Sequence, residues 1–469
     1  MNLKEPDLIL KGGHIVGPAS LYQGDIAIRD GKIVALGLAD EWPLSRQCFD
    51  VSGKQVFPGI LDVHTHCRPW SPHVDNLEAL SRSGAHGGVT SMITFISPSE
   101  SQMPSEGLAN FIKVEGSKSL IDFALHGLLP DRPGVIEDIT EVIRLGVPSF
   151  KLVMAFRGGG KMTSDAFLYR AMKKVAEAGG LAMVHAEDGN IIGMLEEEMI
   201  NAGRVGFKDY SRSRPNWAEE ISVSKAIGIA NLTGCPLYVV HLSTKEGLSR
   251  IKEANGHGKR IWAETCPQYM LLTDDLMETM GPLAKIAPPL RSKSDLEEIW
   301  HGIINGQISV IASDHAPHAK ESKDAGYRNI FEASFGSPGI ETLFPLMYYE
   351  VVIRRGLPPW LLARRLSESP ARIFGLYPQK GTIQVGSDAD LVVVDPHKEM
   401  IIRAKDQHTN ADYSVFEGLK IQGGPVLSML RGNVLLKDGE VLQKPGYGNY
   451  LKRQPFEGVW KLGNGNMLI

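Results

Sequence analysis

Only four cysteines, Cys48, Cys67, Cys235 and Cys266, are spread through 469 residues, and no C-x-x-C pair joins any two of them. That spacing excludes a disulfide framework and a cysteine-rich zinc module, so the thiols read as reduced and structural. No run of eighteen apolar residues occurs, and the start, Met-Asn-Leu-Lys-Glu-Pro-Asp, has neither the basic end nor the apolar stretch of a signal peptide. A cytoplasmic protein without a membrane partner is expected. An excess of positive charge is missing too: 50 Lys and Arg stand against 54 Asp and Glu, a net charge of −4. Nothing therefore marks the chain for nucleic acid. Internal repeats and low-complexity tracts are also absent.

What is present is an ordinary globular composition, 43% hydrophobic and 22% charged. The chain is too long for one core, since single cores stop growing near ~250–300 residues. One large domain and one smaller domain are expected. The first stretch alternates short apolar runs with Gly and Asp turns, as in Gly24–Gly37, where Asp30-Gly31 is a hairpin signal. The same texture returns in Gly386–Asp395 and Val426–Val441. Between these ends come eight apolar runs separated by helix-like segments: 57–66, 90–96, 122–128, 149–154, 181–187, 237–243, 260–266 and 309–315. Consecutive βα units of this kind build a parallel sheet, and eight of them imply a distorted (β/α)8 TIM-like barrel. The expected layout is a small β-sandwich from residues 1–56 and 380–469 flanking a barrel over 57–379. The tail from Glu440 reads equally as a subunit-contacting arm or a frayed end.

Parallel strands buried on both faces should be apolar throughout, so an ionisable residue inside one asks for a reason. Asp62-Val-His64-Thr-His66 places two imidazoles at i and i+2, on one side of a strand. Alone, such a pair is better explained by hydrogen-bonded core histidines. Its company changes the reading: His185, His241 and Asp314 also fall at or near the ends of their runs, where barrel enzymes keep their catalytic groups. Lys151, inside Ser149-Phe-Lys-Leu-Val-Met, would have its ammonium buried, which lowers its pKa and frees the neutral amine. Such an amine can add carbon dioxide to give an N6-carboxylysine carbamate whose two oxygens bridge two cations. The alternative is a buried Lys–carboxylate pair; beside the histidines the carbamate is the stronger reading. The ligand set is then His64, His66, Lys151 and Asp314 for one ion, and Lys151, His185 and His241 for the other. Nitrogen and oxygen donors without thiolate fit two Zn2+, with Mn2+, Co2+ or Fe2+ also compatible. Metals acidify a bound water toward pKa ~7, and Asp314 is placed to take its proton and return it to a leaving nitrogen.

At this point the motifs resemble a known family. Phe57-Pro-Gly-Ile-Leu-Asp-Val-His-Thr-His66, Ser-Phe-Lys151, His185-Ala-Glu, His241-Leu-Ser, Glu264-Thr-Cys-Pro-Gln-Tyr, Ala287-Pro-Pro-Leu-Arg and Ser313-Asp-His-Ala-Pro are similar to the cyclic amidohydrolases of the hydantoinase and dihydropyrimidinase type, nearly end to end. Allantoinases and dihydroorotases are similar as well. The resemblance implies two zinc ions on a carboxylated Lys151, hydrolysis of a cyclic ureide or imide, and a homotetramer or homodimer. Two departures stand out. Hydantoinases usually carry a Tyr five residues after the lysine, as an oxyanion donor, where this chain has Phe156, and an Asn-Gly before Pro-Gly, where it has Phe335-Gly-Ser-Pro-Gly339. The glycine-rich Arg157-Gly-Gly-Gly-Lys161 that follows Phe156 resembles a mobile lid, from which Arg157 or Lys161 would swing in, or is a plain surface loop.

Arg68, Phe156, Ala287, His318 and Phe335 are the expected substrate contacts. His66-Cys-Arg68 and Asp314-His-Ala-Pro-His318 repeat spacings that dihydroorotases use for a substrate acid, and a guanidinium suits a carboxylate. An acid or ureido substrate held by Arg68 is thus the alternative activity, and a solvated loop arginine is the lesser reading of that residue. Trp70 and His73 are placed to wall the pocket or to pack on the rim. His126 lies in the third run, and His315 should turn away from the metals, which makes it a supporting or structural residue. A non-catalytic scaffold of the same fold is the reading of another class; such relatives lose ligands, and here all six positions are filled.

Overall fold

The computed structural model describes residues 5–39, 42–69, 71–158, 162–256 and 260–455. Trp70, Lys161 and residues 456–469 lie outside the described residues.

Five strands open the chain: β1 (Leu8–Val16), β2 (Leu21–Arg29), β3 (Lys32–Gly37), β4 (Gln47–Asp50) and β5 (Gln55–Pro58). Asp30 and Gly31 both take positive φ, 52° and 74°, as the tight turn between β2 and β3 requires. Four more strands come from the other end: β14 (Leu391–Ile401), β15 (Lys420–Leu430), β16 (Asn433–Lys437) and β17 (Glu440–Val441). They join the first set through an antiparallel pairing of β14 with β5, giving one nine-stranded sheet in the order β17-β16-β15-β14-β5-β1-β2-β3, with β4 on β1. Leu10, Ile26, Val56, Leu391, Val393 and Met429 bury one core drawn from both chain ends.

The eight apolar runs become eight parallel strands in sequence order: β6 (Ile60–His66), β7 (Val89–Ile96), β8 (Asp122–Leu128), β9 (Ser149–Val153), β10 (Leu181–His185), β11 (Leu237–Val239), β12 (Ile261–Thr265) and β13 (Val310–Ile311). The row curls until its two edges meet: Thr65 bridges His315, the His66 N–H donates to the His315 carbonyl at 2.8 Å, and the Ser313 N–H donates to Asp62 at 3.1 Å. Leu61, Val63, Ile93, Met183, Tyr238 and Val310 fill the interior. The connecting helices bury their apolar faces on the outside; in the helix Leu77–His86, capped by Asn76 accepting from the Ala79 N–H, these are Leu77, Leu80 and Ala85.

Residues Tyr450–Arg453 pack against the underside of the barrel. Phe123 pairs with Tyr450, the Leu451 N–H donates to the Phe123 carbonyl at 2.7 Å, and Arg453 donates to Ser149 Oγ at 2.8 Å. Residues Tyr450–Arg453 are therefore held to the barrel, because their backbone and side chains satisfy polar groups at the starts of β8 and β9. Lys380 clamps this region, its ammonium 2.7 Å from both Asp122 and Asp390 and 3.0 Å from Asp388. Among the described residues no helix is long and apolar enough to cross a membrane.

Candidate active site

The C-terminal ends of the strands open into a cavity of about 830 Å³, counting its mouth. His64, His66, Lys151, His185, His241 and Asp314 all line it. β6 supplies the first two, and their rings lie 5.2 Å apart. Asp314 Oδ1 stands 3.1 Å from His64 Nε2 and 3.4 Å from His66 Nε2, so the three residues converge as a metal-binding group would. On the other side His185 and His241 meet edge to face at 4.5 Å.

Three non-glycine residues of this site hold left-handed backbone: Phe156 (φ 66°), His241 (φ 38°) and Asp314 (φ 50°). L-residues there carry strain, which persists only where surrounding contacts enforce it. For His241 those contacts are identifiable. The buried Glu219 carboxylate accepts from the backbone N–H groups and hydroxyls of Ser243 and Thr244, anchoring the loop just beyond the histidine.

Lys151 is buried, and burial lowers its pKa from 10.5 to about 8 against the pull of Glu264 and Asp314. Among the described residues it forms no ion pair; its ammonium lies 4.9 Å from the centre of the Phe95 ring. Burial likewise lowers His66 to about 4 and His241 well below its ordinary value, the neutral forms that ligate metals. Burial opposes the charged form of His64 as well, but the Glu264 and Asp314 carboxylates outweigh it and raise its pKa to about 9. Burial also opposes the Asp314 charge, yet His64, His66 and His241 keep its carboxyl well below the usual range. A metal centre fits this donor set, and Nδ1 of His241 is buried there without a hydrogen-bond partner.

Behind the ligand candidates stand three buried carboxylates that the motifs alone do not single out. Glu264, on β12, contacts His64 Nδ1, accepts from Tyr238 Oη at 2.8 Å and from the His241 N–H at 3.2 Å. Glu187 lies 2.7 Å from His185 Nε2 and accepts from Arg214 at 2.7 Å. Asp62 accepts from the His64 and Ser313 N–H groups. Their signal was an acid in an otherwise apolar strand, or directly after one, at Asp62, Glu187 and Glu264.

The remaining candidates divide. Phe156, Ala287 and Phe335 line the cavity. Phe156 and Phe335 stack in parallel, centroids 4.7 Å apart and planes 6° apart, and the Arg214 guanidinium lies 5.3 Å from the Phe156 ring centre. Arg68 does not join them: it is exposed, and its Nε donates to the Val74 carbonyl at 2.9 Å. His318 is buried beside the cavity rather than lining it, its ring 6.3 Å from Phe335. His73 is exposed, and Arg157 pairs with Glu197 on the surface. His126 spends its nitrogens on Ser149 and the Val63 carbonyl. His315 faces Asp75 at 3.1 Å and accepts from the Gly339 N–H, the supporting role expected of it. Apart from the six ligand candidates, Ser97 is the one polar side chain among the described lining residues.

The amidohydrolase family profile matches residues 55–435. A D-hydantoinase of Ralstonia pickettii is 35% identical over 460 residues, covering 96% of this chain and 100% of that protein. An L-hydantoinase of Paenarthrobacter aurescens is 33% identical over 458 residues, covering 96% and 99%. The crystal structure of dihydropyrimidinase from Brevibacillus agri NCHU1002 superposes with a TM-score of 0.92 at 31% identity, over 96% of this chain and 99% of that one.

Proposed function

Because this chain belongs to the amidohydrolase family, in its hydantoinase and dihydropyrimidinase branch, we propose that it hydrolyses the ring amide of a neutral cyclic ureide or imide, with two zinc ions on a carboxylated Lys151. The observation that carries this reading is the convergence of six metal-ligand candidates on one cavity whose other walls are almost wholly apolar. When bound, the metals supply an acidified water and polarisation of the ring carbonyl. Asp314 would accept a proton at its carboxylate and pass it to the departing ring nitrogen; its lowered pKa makes the carboxylate the form present at neutral pH. Glu264 and Glu187 hold the rings of His64 and His185 in orientation. Phe156 and Phe335 form an apolar wall and exclude water, with no hydroxyl to share the oxyanion.

The acid-substrate alternative has less to support it, since Arg68 stands exposed outside the lining. A homo-oligomer, tetramer or dimer, acting in the cytoplasm on a small molecule belongs to the same proposal. The test is metal content together with hydrolysis of hydantoin, 5-substituted hydantoins, dihydrouracil, allantoin and dihydroorotate, on protein expressed with zinc and bicarbonate. About two metals per chain and fastest opening of a neutral ring are expected. Dihydroorotate as the best substrate would overturn the neutral-ring reading, and neither metal nor turnover would turn it toward a scaffold.

A further inference from the structure

On the outer wall of the barrel, away from the cavity, three side chains from three segments come together. His86 is the last residue of the helix Leu77–His86, Glu341 lies in the first turn of the helix Ile340–Tyr348, and His408 sits on the strap that follows the turn Ala404–Asp406. The His86 and His408 rings stack with centroids 3.4 Å apart and planes 5° apart. The His408 backbone N–H holds one Glu341 oxygen at 2.8 Å, while the other oxygen lies 2.9 Å from His408 Nδ1. A donor atom from each residue lies within 4.8 Å of the other two. We propose that His86, Glu341 and His408 form a third, non-catalytic site for a divalent transition-metal ion.

Two donors bound to one ion at about 2.0–2.1 Å lie about 3 Å apart, the separation already held between Glu341 and His408. Imidazoles cannot stay stacked at 3.4 Å on a shared ion, so the rings part as they close on it. His408, with 36% of its side chain exposed, has room for that rotation. Two imidazoles and one carboxylate select Zn2+, Ni2+ or Cu2+ over Ca2+ and Mg2+, which prefer all-oxygen shells. Solvent supplies the remaining position. Arg82, one turn before His86, has its guanidinium 3.2 Å from Glu78.

Occupancy would staple the strap to the barrel wall. The same strap donates from the Asn410 N–H to Asp75 at 2.8 Å, and from Tyr413 Oη to the carbonyl of Gly336, a cavity-lining residue, at 3.0 Å. The ion thus fixes a segment that supports the cavity without entering it.

The test uses enzyme already holding its catalytic metals, desalted and then titrated with Zn2+ by calorimetry, with bound zinc measured afterwards. The wild type is expected to take up one further ion per chain with a rise in Tm. His86→Asn and His408→Asn should each lose both effects and keep the hydrolytic rate measured without added zinc. If His86→Asn does not fold, His408→Asn, on the exposed strap, decides alone. No further uptake by the wild type, or undiminished uptake by the His408 variant, overturns the proposal. Turnover is not the readout, so failure here is distinct from failure of the catalytic reading.

Discussion

Glu264 lies against one ring nitrogen of His64, Nδ1, while the other, Nε2, faces Asp314 Oδ1 at 3.1 Å. A carboxylate behind a ligating imidazole fixes its tautomer and raises its basicity. Removing that carboxylate typically costs ~10–100-fold in metal affinity or activity. Glu264→Gln is therefore expected to lower kcat and metal retention, and Glu264→Leu more so, because it also strands the Tyr238 hydroxyl. Metal content after dialysis, measured beside kcat, checks this; full metal and full rate in the leucine variant would refute it.

Among the described residues Lys151 has no carboxylate partner, and burial lowers its pKa to about 8, which leaves an amine able to take up carbon dioxide. Lys151→Gly is expected to lose activity, with partial recovery on adding a short carboxylic acid that offers the same two oxygens. Recovery by short amines instead would assign the lysine a different task.

Although burial opposes its charge, Arg214 and then His185 hold the Glu187 carboxyl at about 2, below its ordinary 4.5. A depressed carboxyl pKa stabilises the fold fully above the unfolded value, and the contribution is lost as pH falls toward the folded value. The window runs from about 4.5 down to about 2, and the amount is on the order of a few kcal/mol. Urea unfolding of wild type and Glu187→Gln near pH 7 and near pH 3 should show a gap that narrows at the lower pH. A gap independent of pH would contradict the assignment.

Because Arg68 is exposed and bonded to the Val74 carbonyl, Arg68→Ala should change kcat/KM for a neutral ring by no more than ~2-fold, as surface substitutions do. A large loss confined to dihydroorotate would show the arginine reaching the substrate during turnover.

The stacked Phe156 and Phe335 give the cavity a flat apolar wall. Phe335→Ala should cost ~1–3 kcal/mol in kcat/KM for a ring bearing an apolar substituent, and less for unsubstituted hydantoin. Equal losses on both would mean that the wall serves folding rather than selection.

Most of the barrel was legible because ionisable residues inside buried strands are out of character. His64, His66, Lys151, His185, His241 and Asp314 could be read that way, and all six line one cavity. The strand lengths were less legible: the sixth and eighth runs keep only Leu237–Val239 and Val310–Ile311 as strand, since beyond them the backbone turns to deliver His241 and Asp314. Glu264 and Glu187 stood in the sequence, but their partners are set by contacts between separate strands and loops. Arg68 shows the converse limit: spacing gave it the right neighbours, and side-chain direction took it elsewhere.

The pairing of β5 with β14 also orders events during synthesis. Residues Gln55–Pro58 leave the ribosome more than three hundred positions before Leu391, the start of the strand that flanks them. Translation advances at about 5–20 residues per second. The opening strands therefore wait tens of seconds with one edge bare, while every βα unit emerges behind them. A nascent chain stalled anywhere between Pro58 and Leu391 would expose that edge to its neighbours on the polysome.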